Sequence, residues 1–84
     1  MKVFKDRVAV VTGGASGLGR AMALRFAREG MKIVLADVEK DALSRTEKEF
    51  KDSGYPVLAV RTDVSRGSEV DALAGKAFKT FGGV

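Results

Sequence analysis

Three short apolar runs alternate with three longer amphipathic stretches along the 84-residue chain. Arg7-Val8-Ala9-Val10-Val11-Thr12 is continuously apolar at its centre, the pattern of a parallel strand covered on both faces. Lys32-Ile33-Val34-Leu35-Ala36 repeats that pattern and ends at Asp37. Val57-Leu58-Ala59-Val60-Arg61 repeats it again and closes at Thr62-Asp63-Val64. Pro56 stands at the start of this third run, where its missing N–H does little harm.

The intervening stretches carry helical periodicity. Leu18 to Glu29 places Leu18, Met22 and Phe26 on one face, with Gly30 as a left-handed stop. From about Lys40 to Ser53, Leu43, Thr46 and Phe50 mark an inner side, the outer face is charged, and Gly54 ends the helix. Ser65 is a candidate N-cap for the third helix, and Gly67 weakens its first turn. Val70, Leu73, Ala74, Ala77, Phe78 and Phe81 then form its apolar stripe, and Gly82-Gly83 terminates it before Val84.

Strands alternating with helices predict parallel strands joined by right-handed crossovers. The expected fold class is α/β: a three-layer Rossmann-type half-domain, β-α-β-α-β-α, with the parallel sheet in the order 3-2-1 and one domain over residues 1–84.

Composition narrows the chemistry. With no cysteine and no histidine, disulfides and thiol or imidazole catalysis are excluded, and zinc loses its usual ligands. No apolar run approaches the roughly 20 residues of a membrane span, so a soluble, cytoplasmic protein is the expectation. The net charge of +4 raises the question of nucleic acid. Basic residues are interleaved with acids, as in Glu47-Lys48-Glu49-Phe50-Lys51-Asp52, and no block of five like charges occurs. Neither nucleic acid nor membrane is an expected partner.

The chemistry-bearing stretch joins the first strand to the first helix: Thr12-Gly13-Gly14-Ala15-Ser16-Gly17-Leu18-Gly19. A glycine turn opening a helix directs free backbone N–H groups and the positive helix end at an anion. Gly13 allows the strand to turn, Gly17 allows close approach of a pyrophosphate, and Gly19 allows tight helix packing. The bland alternative is a tight turn with no ligand. Asp37 ends the second strand 18 positions after Gly19. A carboxylate there can accept from the adenosine ribose hydroxyls and repel a 2′-phosphate, and neither Ser16 nor Val38 supplies a cation for NADP. Its alternative role is to cap the next helix. Asp63 and Val64 fall on the same carboxyl edge, where an adenine amino group and ring could meet them; a turn aspartate is the alternative.

At these residues the chain resembles the short-chain dehydrogenase/reductase family. Thr12, Gly13, Ser16, Gly17, Leu18 and Gly19 lie in what looks like its cofactor turn. Asp37 matches its NAD-selecting acid, and Asp63-Val64 its adenine-contacting pair. The resemblance covers essentially the whole chain. It implies a seven-stranded parallel sheet and hydride transfer between NAD(H) and an alcohol or ketone. It also implies a fourth strand leading to Asn-Asn-Ala-Gly, a catalytic Ser and a Tyr-x-x-x-Lys pair, none of which these 84 residues contain. The single tyrosine, Tyr55, lies in a Gly-Tyr-Pro turn and is followed four positions later by Ala59, so it reads as structural.

The expectation is therefore the NAD(H)-binding segment of a longer oxidoreductase, cut before strand 4, with NAD preferred over NADP, no catalytic or metal-binding residues, and no turnover alone. A self-standing dinucleotide-binding module without catalysis is the alternative. The full-length form is expected to be a homo-oligomer. The 84-residue piece is expected to expose strand 7–12 as an open edge and to self-associate through it.

Overall fold

The computed structural model describes residues 2–4, 8–15 and 17–81, with side chains from residue 8 onward. Arg7, Ser16 and Gly82-Gly83-Val84 lie outside the described residues. The elements in order are β1 (Lys2–Phe4), β2 (Val8–Thr12), α1 (Gly17–Arg28), β3 (Lys32–Asp37), α2 (Lys40–Asp52), β4 (Val57–Arg61) and α3 (Gly67–Phe81). The sheet order is β1-β2-β3-β4. β2 pairs parallel with β3 through Ala9↔Ile33 and Val11↔Leu35, and β3 pairs parallel with β4 through Leu35↔Ala59. These three strands have the expected 3-2-1 order.

The antiparallel strand β1 departs from the expectation. Lys2, Val3 and Phe4 pair with Val10, Ala9 and Val8 on the edge of β2 that was expected to be open. An edge strand presents unpaired N–H and C=O groups, and β1 occupies this edge along Val8–Val10. β2 is thus an interior strand over that stretch rather than the open edge on which self-association was expected. So short a strand beside Lys5, Asp6 and Arg7 carries no periodic signal.

The continuous apolar runs fill both faces of the sheet. Ala9, Val11, Ile33 and Leu35 point into one core with Ala23 and Ala27 of α1 and Leu43 and Phe50 of α2. Val8, Val34, Ala36 and Val60 point the other way, against Leu73 and Ala77 of α3. Alternate residues of one strand serve opposite layers, so no polar position interrupts the run. Phe50 is fully buried and meets the Tyr55 ring edge-on, centroids 6.1 Å apart, consistent with a structural role for Tyr55.

Two helix faces differ from the periodic reading. α1 buries Ala23 and Ala27, while Leu18 is exposed and Met22 and Phe26 are half-buried. Small residues let the helix lie close to the sheet, which places the larger residues along its flank. On α3 only Leu73 and Ala77 are buried, Phe81 is half-buried, and Val70, Ala74 and Phe78 are exposed. The apolar stripe is wider than the surface the sheet offers it.

Candidate functional site

The carboxyl ends of all three parallel strands meet at one cleft. It has a volume of about 520 Å³ and is lined by Thr12 and Gly13 after β2, Ala36, Asp37 and Val38 after β3, and Thr62, Asp63 and Val64 after β4. Parallel strands place their ends on one edge, and open α/β sheets bind ligands there. The volume lies in the ordinary range of small-molecule sites.

Thr12 and Gly13, where the glycine turn begins, form one wall, whereas Gly17, Leu18 and Gly19 are not among the cleft's lining residues. Gly13 has φ of +67°, a left-handed conformation that L side chains rarely adopt. The parallel ladder continues past Thr12 through the Gly14 N–H donating to the Ala36 carbonyl at 3.3 Å. Gly19 is closely confined: a Cβ there would lie 2.0 Å from the Gly13 carbonyl oxygen. The tight contact is with the turn itself rather than with the sheet. At Gly17 a Cβ would meet nothing within 4 Å, so the backbone there is open to an incoming group. Leu18 is exposed beside it, and Ser16 lies outside the described residues.

Asp37 links this wall to the next. Its Oδ2 accepts the Ala15 N–H at 3.2 Å and its Oδ1 accepts the Glu39 N–H at 3.1 Å. Its backbone carbonyl accepts the Thr62 N–H at 2.9 Å. The Glu39 contact is an Asx-type turn leading into α2, whose N-cap, Glu39, makes no side-chain cap. Each carboxylate oxygen has a second lone pair, so the side chain retains capacity for further donors while serving this local role. Val38, beside it, is exposed.

Asp63 begins the turn into α3. Its Oδ1 accepts both the Ser65 hydroxyl, at 2.6 Å, and the Ser65 N–H, at 3.0 Å. These bonds, above all the hydroxyl, hold its carboxyl below the ordinary aspartate range; desolvation opposes them, and Arg66 and Arg61 add smaller contributions in the lowering direction. Its own N–H donates to Glu69 Oε1 at 2.9 Å. Ser65 therefore helps order the turn that precedes α3. Among the described residues no donor is bonded to Asp63 Oδ2. Val64 is exposed at the cleft.

Two contributors escaped the motif reading. Ala15 is buried and bonded at both its N–H and its carbonyl, which accepts from Thr46 of α2 at 3.2 Å. Thr62 is buried, donates its hydroxyl to the Val60 carbonyl, and lines the floor of the cleft. Ala15 has no functional side chain to signal it. Thr62 follows the strand without any periodic marker.

Fold and cleft together define a Rossmann-type α/β protein, and comparison with known proteins specifies which kind. The family model for short chain dehydrogenases matches residues 7–84, and the chain belongs to that family. A diacetyl reductase [(S)-acetoin forming] of Staphylococcus epidermidis is 43% identical over 77 residues, covering 92% of this chain and 30% of the relative. A 1-deoxy-11-beta-hydroxypentalenate dehydrogenase of Streptomyces exfoliatus is 46% identical over 80 residues, covering 95% of this chain and 29% of the relative. A short chain dehydrogenase/reductase of Burkholderia phymatum, solved in complex with NAD, superposes with a TM-score of 0.91 at 51% identity. It is matched over 100% of this chain and 30% of its own. The chain thus spans about a third or less of the length of these proteins. Among the described residues no helix is long and apolar enough to cross a membrane.

Proposed function

We propose that residues 1–84 form the NAD(H)-binding segment of an oxidoreductase acting on an alcohol/ketone pair, with NAD preferred over NADP. The observation that carries this reading is the convergence of Thr12 and Gly13, where the glycine turn begins, with Asp37, Asp63 and Val64 on one cleft at the carboxyl edge of the sheet. The NAD complex of the Burkholderia protein and the reductase and dehydrogenase names of the relatives support it.

The residues fit the group. The backbone at Gly17 is open on the side where a Cβ would stand, so a pyrophosphate can approach it closely. Thr12, Gly13, Ser16, Gly17, Leu18 and Gly19 make up the cofactor turn, with the pyrophosphate held at the N-terminal end of α1, which begins at Gly17. Asp37 accepts from the adenosine ribose hydroxyls with the acceptor capacity that Ala15 and Glu39 leave free. It disfavours a 2′-phosphate by like charge. Asp63 offers Oδ2 to the adenine amino group, and Val64 packs on the ring. When bound, the nicotinamide accepts or supplies a hydride. No residue of this segment is assigned a catalytic role, so it binds cofactor without turning substrate over.

Fluorescence titration with NADH and NADPH tests the reading. Saturable binding of NADH, weaker for NADPH, is expected. A chain folded by circular dichroism that binds neither would overturn it.

A further inference from the structure

Thr46 is a threonine in the middle of a helix, 4% exposed, whose side chain leaves its own element to reach the glycine turn. Its hydroxyl lies 3.0 Å from the Ala42 carbonyl of its own helix and 3.2 Å from the Ala15 carbonyl, 31 positions away in sequence. A hydroxyl has one proton to donate, and here it is shared between the two carbonyls in a three-centre contact. The Ala42 carbonyl belongs to the same helix, whereas Ala15 is 6% exposed and its carbonyl is bonded to no backbone N–H among the described residues, so Thr46 is its donor. A buried carbonyl without a donor is costly.

The consequence falls on the anion site. In a turn that binds a pyrophosphate through N–H groups, every carbonyl must be kept from swinging towards the phosphate oxygens, because its partial negative charge would repel them. Ala15 sits between Gly13 and Gly17, in the middle of that turn. Its N–H is fixed by Asp37 Oδ2 and its carbonyl by Thr46, so both of its peptide groups are anchored, one to the end of β3 and one to α2. We infer that Thr46 is a positioning residue for the cofactor turn: it holds the Ala15 carbonyl towards α2 and keeps the turn's N–H groups available to the pyrophosphate. This rests on the NAD(H)-binding reading above.

The test compares wild type, Thr46→Val, which keeps the shape and removes the hydroxyl, and Thr46→Ser, which restores it. Each is titrated with NADH, ADP and adenosine, and its fold is checked by circular dichroism. Thr46→Val is expected to bind NADH and ADP about 3- to 10-fold more weakly, the worth of one net hydrogen bond, with adenosine affinity unchanged. Thr46→Ser is expected to recover wild-type affinity. A merely structural role would weaken all three ligands alike, and that result would overturn the inference. So would undiminished NADH and ADP binding by folded Thr46→Val. Thr46→Ala serves as the second variant should Thr46→Val not fold. A wild type that binds no NADH would overturn the proposed function and this inference with it, whereas NADH binding by wild type and Thr46→Val alike would overturn this inference alone.

Discussion

The Ala15 N–H donates to Asp37 Oδ2 across 3.2 Å, so the acid at the end of β3 is bonded to the turn at the end of β2. Asp37 also turns the chain into α2 through the Glu39 N–H. The alternative roles open to this residue, helix-preceding turn and ligand acceptor, are therefore not exclusive. A carboxylate can do both because each oxygen accepts more than one donor.

Asp37→Ala removes the turn anchor and the acceptor together. The expected result is a loss of NADH affinity of about 10- to 100-fold, the range for hydrogen bonds to a charged group. NADPH affinity should fall less, because the repulsion of its 2′-phosphate is relieved at the same time. Parallel titrations of the two cofactors check this. An unchanged ratio of NADH to NADPH affinity removes Asp37 from the specificity assignment.

Gly19→Ala sets two effects against each other. Alanine in a helix is favoured over glycine by roughly 0.5–1 kcal/mol. Against this, the new Cβ would stand 2.0 Å from the Gly13 carbonyl oxygen and 2.7 Å from its carbon. Both are backbone atoms of a turn that β2 holds on one side and α1 on the other. Forced displacement in a packed region costs about 1–3 kcal/mol, so the clash outweighs the propensity. A lower urea midpoint and weaker NADH binding are expected. A midpoint at or above wild type would show that the turn can move.

The strands and helices were readable because their patterns are local and redundant. β2, β3 and β4 each carry alternate residues for two cores, so four apolar residues in a row identify them. Features set by distant parts of the chain were not readable. The inner face of α1 is drawn by Ala23 and Ala27, because closeness to the sheet matters more there than side-chain size. The antiparallel pairing of Lys2–Phe4 depends on an edge that only the assembled sheet creates. The motif residues around the cleft could be placed from the sequence, but their mutual bonds could not. Ala15 to Asp37 and Thr46 to Ala15 span 22 and 31 positions and leave no periodic trace.

Phe50→Ala tests how much of the fold rests on one side chain. Phe50 has no exposed surface and packs in the core between the sheet and the α1–α2 layer. Truncations of this kind cost about 3–5 kcal/mol. At roughly 0.05–0.15 kcal/mol per residue, 84 residues have only about 4–13 kcal/mol of stability. Circular dichroism with urea should show a variant near its unfolding midpoint in dilute buffer, or a midpoint lowered by a large fraction. A shift of under about 1 kcal/mol would mean that the core repacks around the gap.

Asp63 supplies the pH dependence. Its carboxyl titrates below the ordinary aspartate range, chiefly because the Ser65 hydroxyl and N–H donate to the ionised form. A folded-state pKa below the unfolded one means that the unfolded chain takes up the proton first as acid is added. The contribution of Asp63 to stability is therefore present in full above the ordinary carboxylate range. It declines as pH falls below that range and is gone once the folded-state pKa has been passed. Ser65→Ala deletes the leading cause and leaves the backbone donor, so the Asp63 pKa should rise towards the ordinary value without reaching it. Carboxyl titration of Asp63 by NMR in wild type and Ser65→Ala measures this directly. Asp63→Asn should remove the acid-dependent part of the stability difference while keeping an oxygen to accept from Ser65. If the Asp63 titration is unmoved by Ser65→Ala, then the hydroxyl is not the leading cause, and the Ser65 N–H with Arg66 and Arg61 holds the carboxyl down; an upward shift on raising the salt concentration would mark the arginines' part.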